Sequence, residues 1–180
     1  TYQPLLKPGQ HKIIGFARRS QGLIVARGNP LGLASQADIA RKGARFVNRP
    51  LGTGTRVLLD ELLAQAGVSP TATSGYDHTE PSHAAVAHAV EAGQADAGLG
   101  LASAAHSHQL DFVPLVQERY HLVCLKSTLE QPATQALLQV LRNPTWQHLL
   151  GTLPGYAAAD SGEVQALHRL LPWWHFLRKK

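Results

Sequence analysis

The 180 residues carry 17 Lys and Arg against 12 Asp and Glu, a formal charge of +5 with His neutral and a pI near 9.7. A hydrophobic fraction of 44% and a charged fraction of 16% describe a globular chain, long enough for one domain or two small lobes with a real core. No apolar run nears the roughly 20 residues that span a bilayer. Cys124, the single cysteine, excludes an internal disulfide, and its apolar setting, Leu122 to Leu125, predicts a buried structural thiol. Basic residues are scattered as Lys7, Lys12, Arg18, Arg19, Arg27, Arg41, Lys42, Arg45, Arg49 and Arg56, and gather again only at Arg178 to Lys180. With no basic stripe and no interleaved aromatics, that positive field suits a small anion better than nucleic acid.

In chain order, Lys12 to Ala17 and Gly22 to Ala26 read as two strands. The turn Arg27-Gly-Asn-Pro30 follows, then a short helix opened by Ser35 that includes Ala37, Ile39 and Ala40. A strand over 44–48 runs into a helix over 54–66, stopped by Gly67. A second helix covers His83 to Glu91 with Gly93 as its C-terminal signal. Asp96 to Leu101 and Asp111 to Leu115 read as strands around an alanine-rich helix, and His121 to Leu125 as a last strand. Helices follow from Pro132 to Leu141 and over 145–150. Such alternation predicts an α/β fold whose parallel or mixed sheet is covered on both faces.

The stretch Ala44 to Leu63 says most about chemistry, because a strand passes through a Gly-Thr turn directly into an amphipathic helix. A helix N-terminus offers unpartnered N–H groups and the positive end of the macrodipole, and so binds anions. Thr53 and Thr55 add hydroxyls, Gly52 and Gly54 open the backbone to a ligand, and Arg49 and Arg56 add charge. The same residues also fit a plain helix start, with a threonine as N-cap and Arg56 as a solvated first-turn residue. No metal or other cofactor is expected. His106 and His108 are two apart, and His83 and His88 do not share a helix face, without an obvious carboxylate partner. No nucleophile with a placed base appears, so the chain does not read as an enzyme.

Taken in order, Gln21 to Val25, Gly28-Asn-Pro30, Arg45 to Arg49, Gly52 to Arg56, Gly75-Tyr76, His83, Gly93, Ala95 to Gly100, Asp111 to Leu115 and Glu118-Arg-Tyr120 carry a resemblance. They resemble the periplasmic-binding-protein-like domain of bacterial regulators, which is like the LysR substrate-binding domain and similar to molybdate- and tungstate-binding transport proteins. The resemblance implies a type-two arrangement of α/β lobes. Residues 29–115 would form the complete second, Rossmann-like lobe, 1–28 and 116–159 a partial first lobe with crossing strands, and 160–180 an aromatic and basic tail around Trp173 and Trp174. The family's opening βα units are not matched, so the chain is expected to be a piece of something longer. Lys12 to Ala17 and Gly22 to Ala26 would then leave an apolar face and an edge open to a homodimer partner.

The function that the resemblance implies is sensing of an oxyanion, molybdate or tungstate or one like sulfate, by a bacterial transcriptional regulator. The alternatives are a solute-binding protein of an ABC transporter and an accessory domain of a molybdopterin-biosynthesis enzyme. DNA would be met only through a domain outside this chain, and the location would be cytoplasmic, or periplasmic for the transporter role. Ligand contacts carried over are Arg19, Gln21, Asn48, Arg49, Thr53, Gly54, Thr55, Arg56, Ser82, His83 and Tyr120.

Overall fold

A computed structural model describes residues 5–171 and divides the chain into two compact units. One comprises the chain up to Arg18 together with that from Arg119 onward, and the other, the central unit, is Arg19–Glu118. Two strands of 15 residues, β1 (His11–Val25) and β4 (Asp111–Leu125), contribute to both.

In the central unit the sheet order is β2 (Phe46–Val47), β3 (Ala97–Leu101), β1, β4. β2 lies parallel to β3, and β1 antiparallel to it with Gln21 opposite Leu101 and Val25 opposite Ala97, so the sheet is mixed. Successive side chains of a strand face opposite ways. Leu23 and Val25 accordingly join a cluster with Ile39 of α1 (Gln36–Lys42) and Leu59 and Leu63 of α2 (Gly54–Gln65), while Ile24 joins Val86, Ala87 and Val90 of α3 (His83–Glu91) and Ala105 of α4 (Ala102–Ser107). Helices thus cover both faces. The helix starts are local and legible: Ser35, Thr53 and Ser82 are N-caps. Glycine brings α3 close to β3, since a Cβ on Gly98 would lie 2.4 Å from Val86 Cγ1 and 2.8 Å from Val47 Cγ1.

The other unit packs Ile14, Leu138 and Leu141 with Phe16, Leu122, Cys124, Trp146 and Val164. Here β1 pairs with β5 (Tyr156–Ala158) and, antiparallel, with β6 (Val164–Ala166), beside α5 (Pro132–Arg142), α6 (Pro144–Thr152) and α7 (Leu167–Leu170). Cys124 is half-buried rather than enclosed. Residues 160–171 hold β6 and α7, with Leu167 buried, whereas Trp173 and Trp174 lie outside the described residues.

Two expectations are corrected. The two strands expected over 12–26 are one, because Ser20 and Gln21 are buried in mid-strand and their polar atoms pair with Gln117 and Glu118 of β4. For the same reason β1 offers no open apolar face: Ile13, Ile14, Ala17, Leu23, Ile24 and Val25 are all buried, and the strand has neighbours on both sides. β4 ends the sheet instead, with Tyr120, Val123 and Leu125 exposed.

Candidate functional site

α2 and α3 both begin in the central unit, and the residues around their first turns fall into two groups. The first is committed to local structure. Thr53 Oγ1 accepts the Arg56 N–H at 3.3 Å while its hydroxyl donates to the Pro50 carbonyl at 2.9 Å, and Ser82 Oγ accepts the Ala85 N–H at 3.0 Å. Buried Asn48 donates to the Tyr76 carbonyl at 2.9 Å and accepts the Arg49 N–H at 2.8 Å, which fixes the backbone ahead of the turn. The Arg56 guanidinium, buried at 6% exposure, lies 4.0 Å over the Tyr76 ring and 3.3 Å from Asp60 Oδ1. Its charge is therefore matched on its own helix, one turn on.

The second group is brought together. Thr55 donates its hydroxyl to Gln21 Oε1 at 2.9 Å, Gln21 Nε2 donates to Glu118 Oε2 at 2.8 Å, and Arg19 closes an ion pair on Glu118 Oε1. Arg49 Nη2 donates to the Pro81 carbonyl at 2.9 Å, just ahead of the α3 cap. Burial and the positive charges of Arg49 and Arg19 push the His83 imidazole down from 6.5 to about 4, so it is neutral at pH 7. Burial also lowers the Arg49 pKa. His83 Nδ1 and Arg49 Nε are buried without a hydrogen-bond partner among the described residues. Each such atom costs about 1–3 kcal/mol, which a ligand group could remove.

Gly54 is the first residue of α2, and a Cβ there would meet open space. Gly100 floors the region from β3, where a Cβ would stand 2.5 Å from Ile24 Cδ1 and 3.5 Å from His83 Nδ1. Tyr120 belongs to the other unit, where its ring packs edge-on to Phe16 at 5.7 Å. Glu118 was missed as a site residue, although it stands two positions before Tyr120 in a segment that carried the resemblance.

A cavity of about 100 Å³ in the central unit, lined by Asn29, Leu33, Arg45, Val90 and Asp96 among others, lies at the start of β3, while His83 and Gly100 mark the far end of that strand. His88, Glu91 and His108 bring ligand atoms within 4.8 Å of one another, with Glu91 supplying the carboxylate that sequence spacing did not reveal.

Residues 1–142 match the family described as the PBP superfamily domain. The chain is 38% identical over 152 residues to the uncharacterized protein YvgK of Bacillus subtilis (strain 168), covering 84% of this chain and 49% of that protein. It thus spans about half the length of that relative. Among solved structures, it is similar to the substrate-binding domain of a putative molybdenum ABC transporter from Clostridium difficile, with a TM-score of 0.57 at 14% identity over 82% of this chain and 66% of the other. It is similar as well to the effector-binding domain of QuiR in complex with shikimate, with a TM-score of 0.55 at 20% identity over 71% and 61%. At these identities the structural likeness establishes the type-two binding-protein fold.

Proposed function

Because the chain belongs to the PBP superfamily of ligand-binding domains, we propose that it senses a small oxyanion, of the molybdate, tungstate or sulfate kind, held in the central unit against the first turns of α2 and α3. The observation that carries this reading is the pair of buried nitrogens without a hydrogen-bond partner among the described residues, Nε of Arg49, which precedes α2 and reaches the Pro81 carbonyl ahead of α3, and Nδ1 of His83, the first residue of α3. Arg19 is matched by Glu118 and Arg56 by Asp60, whereas Arg49 sits on a neutral carbonyl. One guanidinium and two helix N-termini of about half a charge each suit an anion of about two charges. Neutral His83 supplies a ring N–H or a lone pair without adding charge, and Gly54 leaves the α2 amides open to approach.

Titration calorimetry of the chain with sodium molybdate, tungstate and sulfate is the test. One-to-one binding that weakens in Arg49→Gln supports the proposal, and no heat and no thermal stabilisation by any of the three at millimolar concentration overturns it. Glu118 favours a second reading, because its carboxylate could accept from the hydroxyl of a hydroxy-carboxylate while Arg49 takes the acid group. Shikimate in the same titration separates the two, as QuiR's effector-binding domain holds that molecule.

For the whole protein the proposed role is the effector half of a cytoplasmic transcriptional regulator, with solute capture for an ABC transporter and service to a molybdopterin-biosynthesis enzyme as competitors. A helix-turn-helix segment encoded upstream of residue 1 supports the first, and a signal peptide there excludes it.

A further inference from the structure

At the C-terminal end of α3, away from its first turn, three side chains of metal-ligating type converge. His88 and Glu91 are three residues apart and so share a helix face. His108 comes from the C-terminal cap of α4, its backbone held by the Ala105 carbonyl at 3.2 Å. His108 Nδ1 lies 2.7 Å and His88 Nδ1 3.7 Å from the same oxygen, Glu91 Oε2, and the ligand atoms of all three lie within 4.8 Å of one another. Beneath them Ala87, Val90 and Ala105 pack in one buried cluster, so the ligands stand on two elements fixed by a common core.

We propose that His88, Glu91 and His108 form a site for a divalent cation of the zinc class. Tetrahedral zinc with bonds near 2.0–2.2 Å sets its ligand atoms about 3.3 Å apart, and the separations in this cluster bracket that value. Two imidazoles and one carboxylate leave a fourth position for water or a partner's ligand, and that donor set prefers zinc, nickel or copper to magnesium. A hydrogen bond from His108 accounts for the 2.7 Å approach to Glu91 Oε2 but not for the convergence of His88 Nδ1, at 3.7 Å, on the same oxygen. A cation between them uses the lone pairs of both neutral rings.

Zinc chloride titrated against a chromophoric chelator, with wild type compared to H88Q/H108Q, tests the site. The double variant is needed because the chain has 10 histidines. Loss of a supporting partner alone weakens metal sites about 10- to 100-fold, so loss of direct ligands should lower affinity at least about tenfold and remove one zinc per chain. Glu91→Gln, which keeps size and both histidines, should weaken binding by a similar factor, and it serves if the double variant fails to fold. Zinc-edge absorption of the wild-type complex should report two imidazole nitrogens. Equal stoichiometry and affinity in wild type and variants, or an equal response to magnesium, overturns the proposal.

Discussion

Replacing Thr55 by valine removes one hydroxyl and little else, and the burial around that hydroxyl sets the size of the effect. Thr55 is 5% exposed and Gln21 1%, and the 2.9 Å bond between them is the one that occupies Gln21 Oε1. Valine fills the threonine volume, so no cavity opens, and water has no ready path to an oxygen on so deeply buried a side chain. The loss is then the full desolvation penalty of an orphaned acceptor, about 1–3 kcal/mol, instead of the net worth of an average hydrogen bond, about 1 kcal/mol. Thr53→Val is the control, because it removes an N-cap at a half-exposed position, worth about 1 kcal/mol. Urea unfolding followed by far-UV circular dichroism should show a lower midpoint with an unchanged slope for Thr55→Val. Gln21 also places Glu118, so a freed amide should weaken anion binding in the same variant. A loss below about 0.5 kcal/mol, with binding intact, would refute the idea that this buried chain of polar contacts organises the site.

Arg49→Gln should cut affinity for a dianionic oxyanion by about 10- to 150-fold, the equivalent of a charge-assisted hydrogen bond of about 1.5–3 kcal/mol, whereas Arg56→Gln should act mainly on stability through Asp60 and Tyr76. Calorimetry ranks the two, and the reverse order would contradict the assignment. His83 titrates near 4 when folded and 6.5 when free, so between those values the unfolded chain binds more protons. Its contribution is present above pH 6.5 and fades as pH falls toward 4, and His83→Gln should flatten the stability profile across that window. Gly98→Ala, whose Cβ would sit 2.4 Å from Val86 Cγ1, should destabilise by about 1–3 kcal/mol on thermal unfolding, and a neutral result would mean that α3 can lift off β3 without loss.

Local signals were legible in the sequence, and distant ones were not. Ser35, Thr53 and Ser82 cap helices where side-chain chemistry next to an apolar period says they should, since a cap needs only its own next three residues. The strand over 11–25 was split by its polar middle, Arg18 to Gln21, because the groups that satisfy Ser20 and Gln21 lie 97 residues further on. β5 and β6 are three residues each, too short for alternation to register. At the site, the helix starts were readable, but the diversion of Arg56 to Asp60 and Tyr76 was not. The Tyr76 ring and the Asp60 carboxylate meet only after the chain has turned back through Gly75, whose φ is +83° and where an added Cβ would lie 2.0 Å from the Phe46 carbonyl oxygen, leaving no room for a side chain.

The polar crossing between β1 and β4 also bears on how the chain finds its alignment. Two strands of 15 residues whose aliphatic residues lie on either side of a polar middle can slide past one another, and a slip of one position turns every side chain to the opposite face. Ser20 against Gln117, and Gln21 with Arg19 against Glu118, work as a key with a single fit. Any other offset would part the buried Ser20 hydroxyl and Gln21 amide from these partners, at about 1–3 kcal/mol for each group left unsatisfied. The groups gathered beside the proposed ligand position thereby have a second task, holding the two long strands in one alignment.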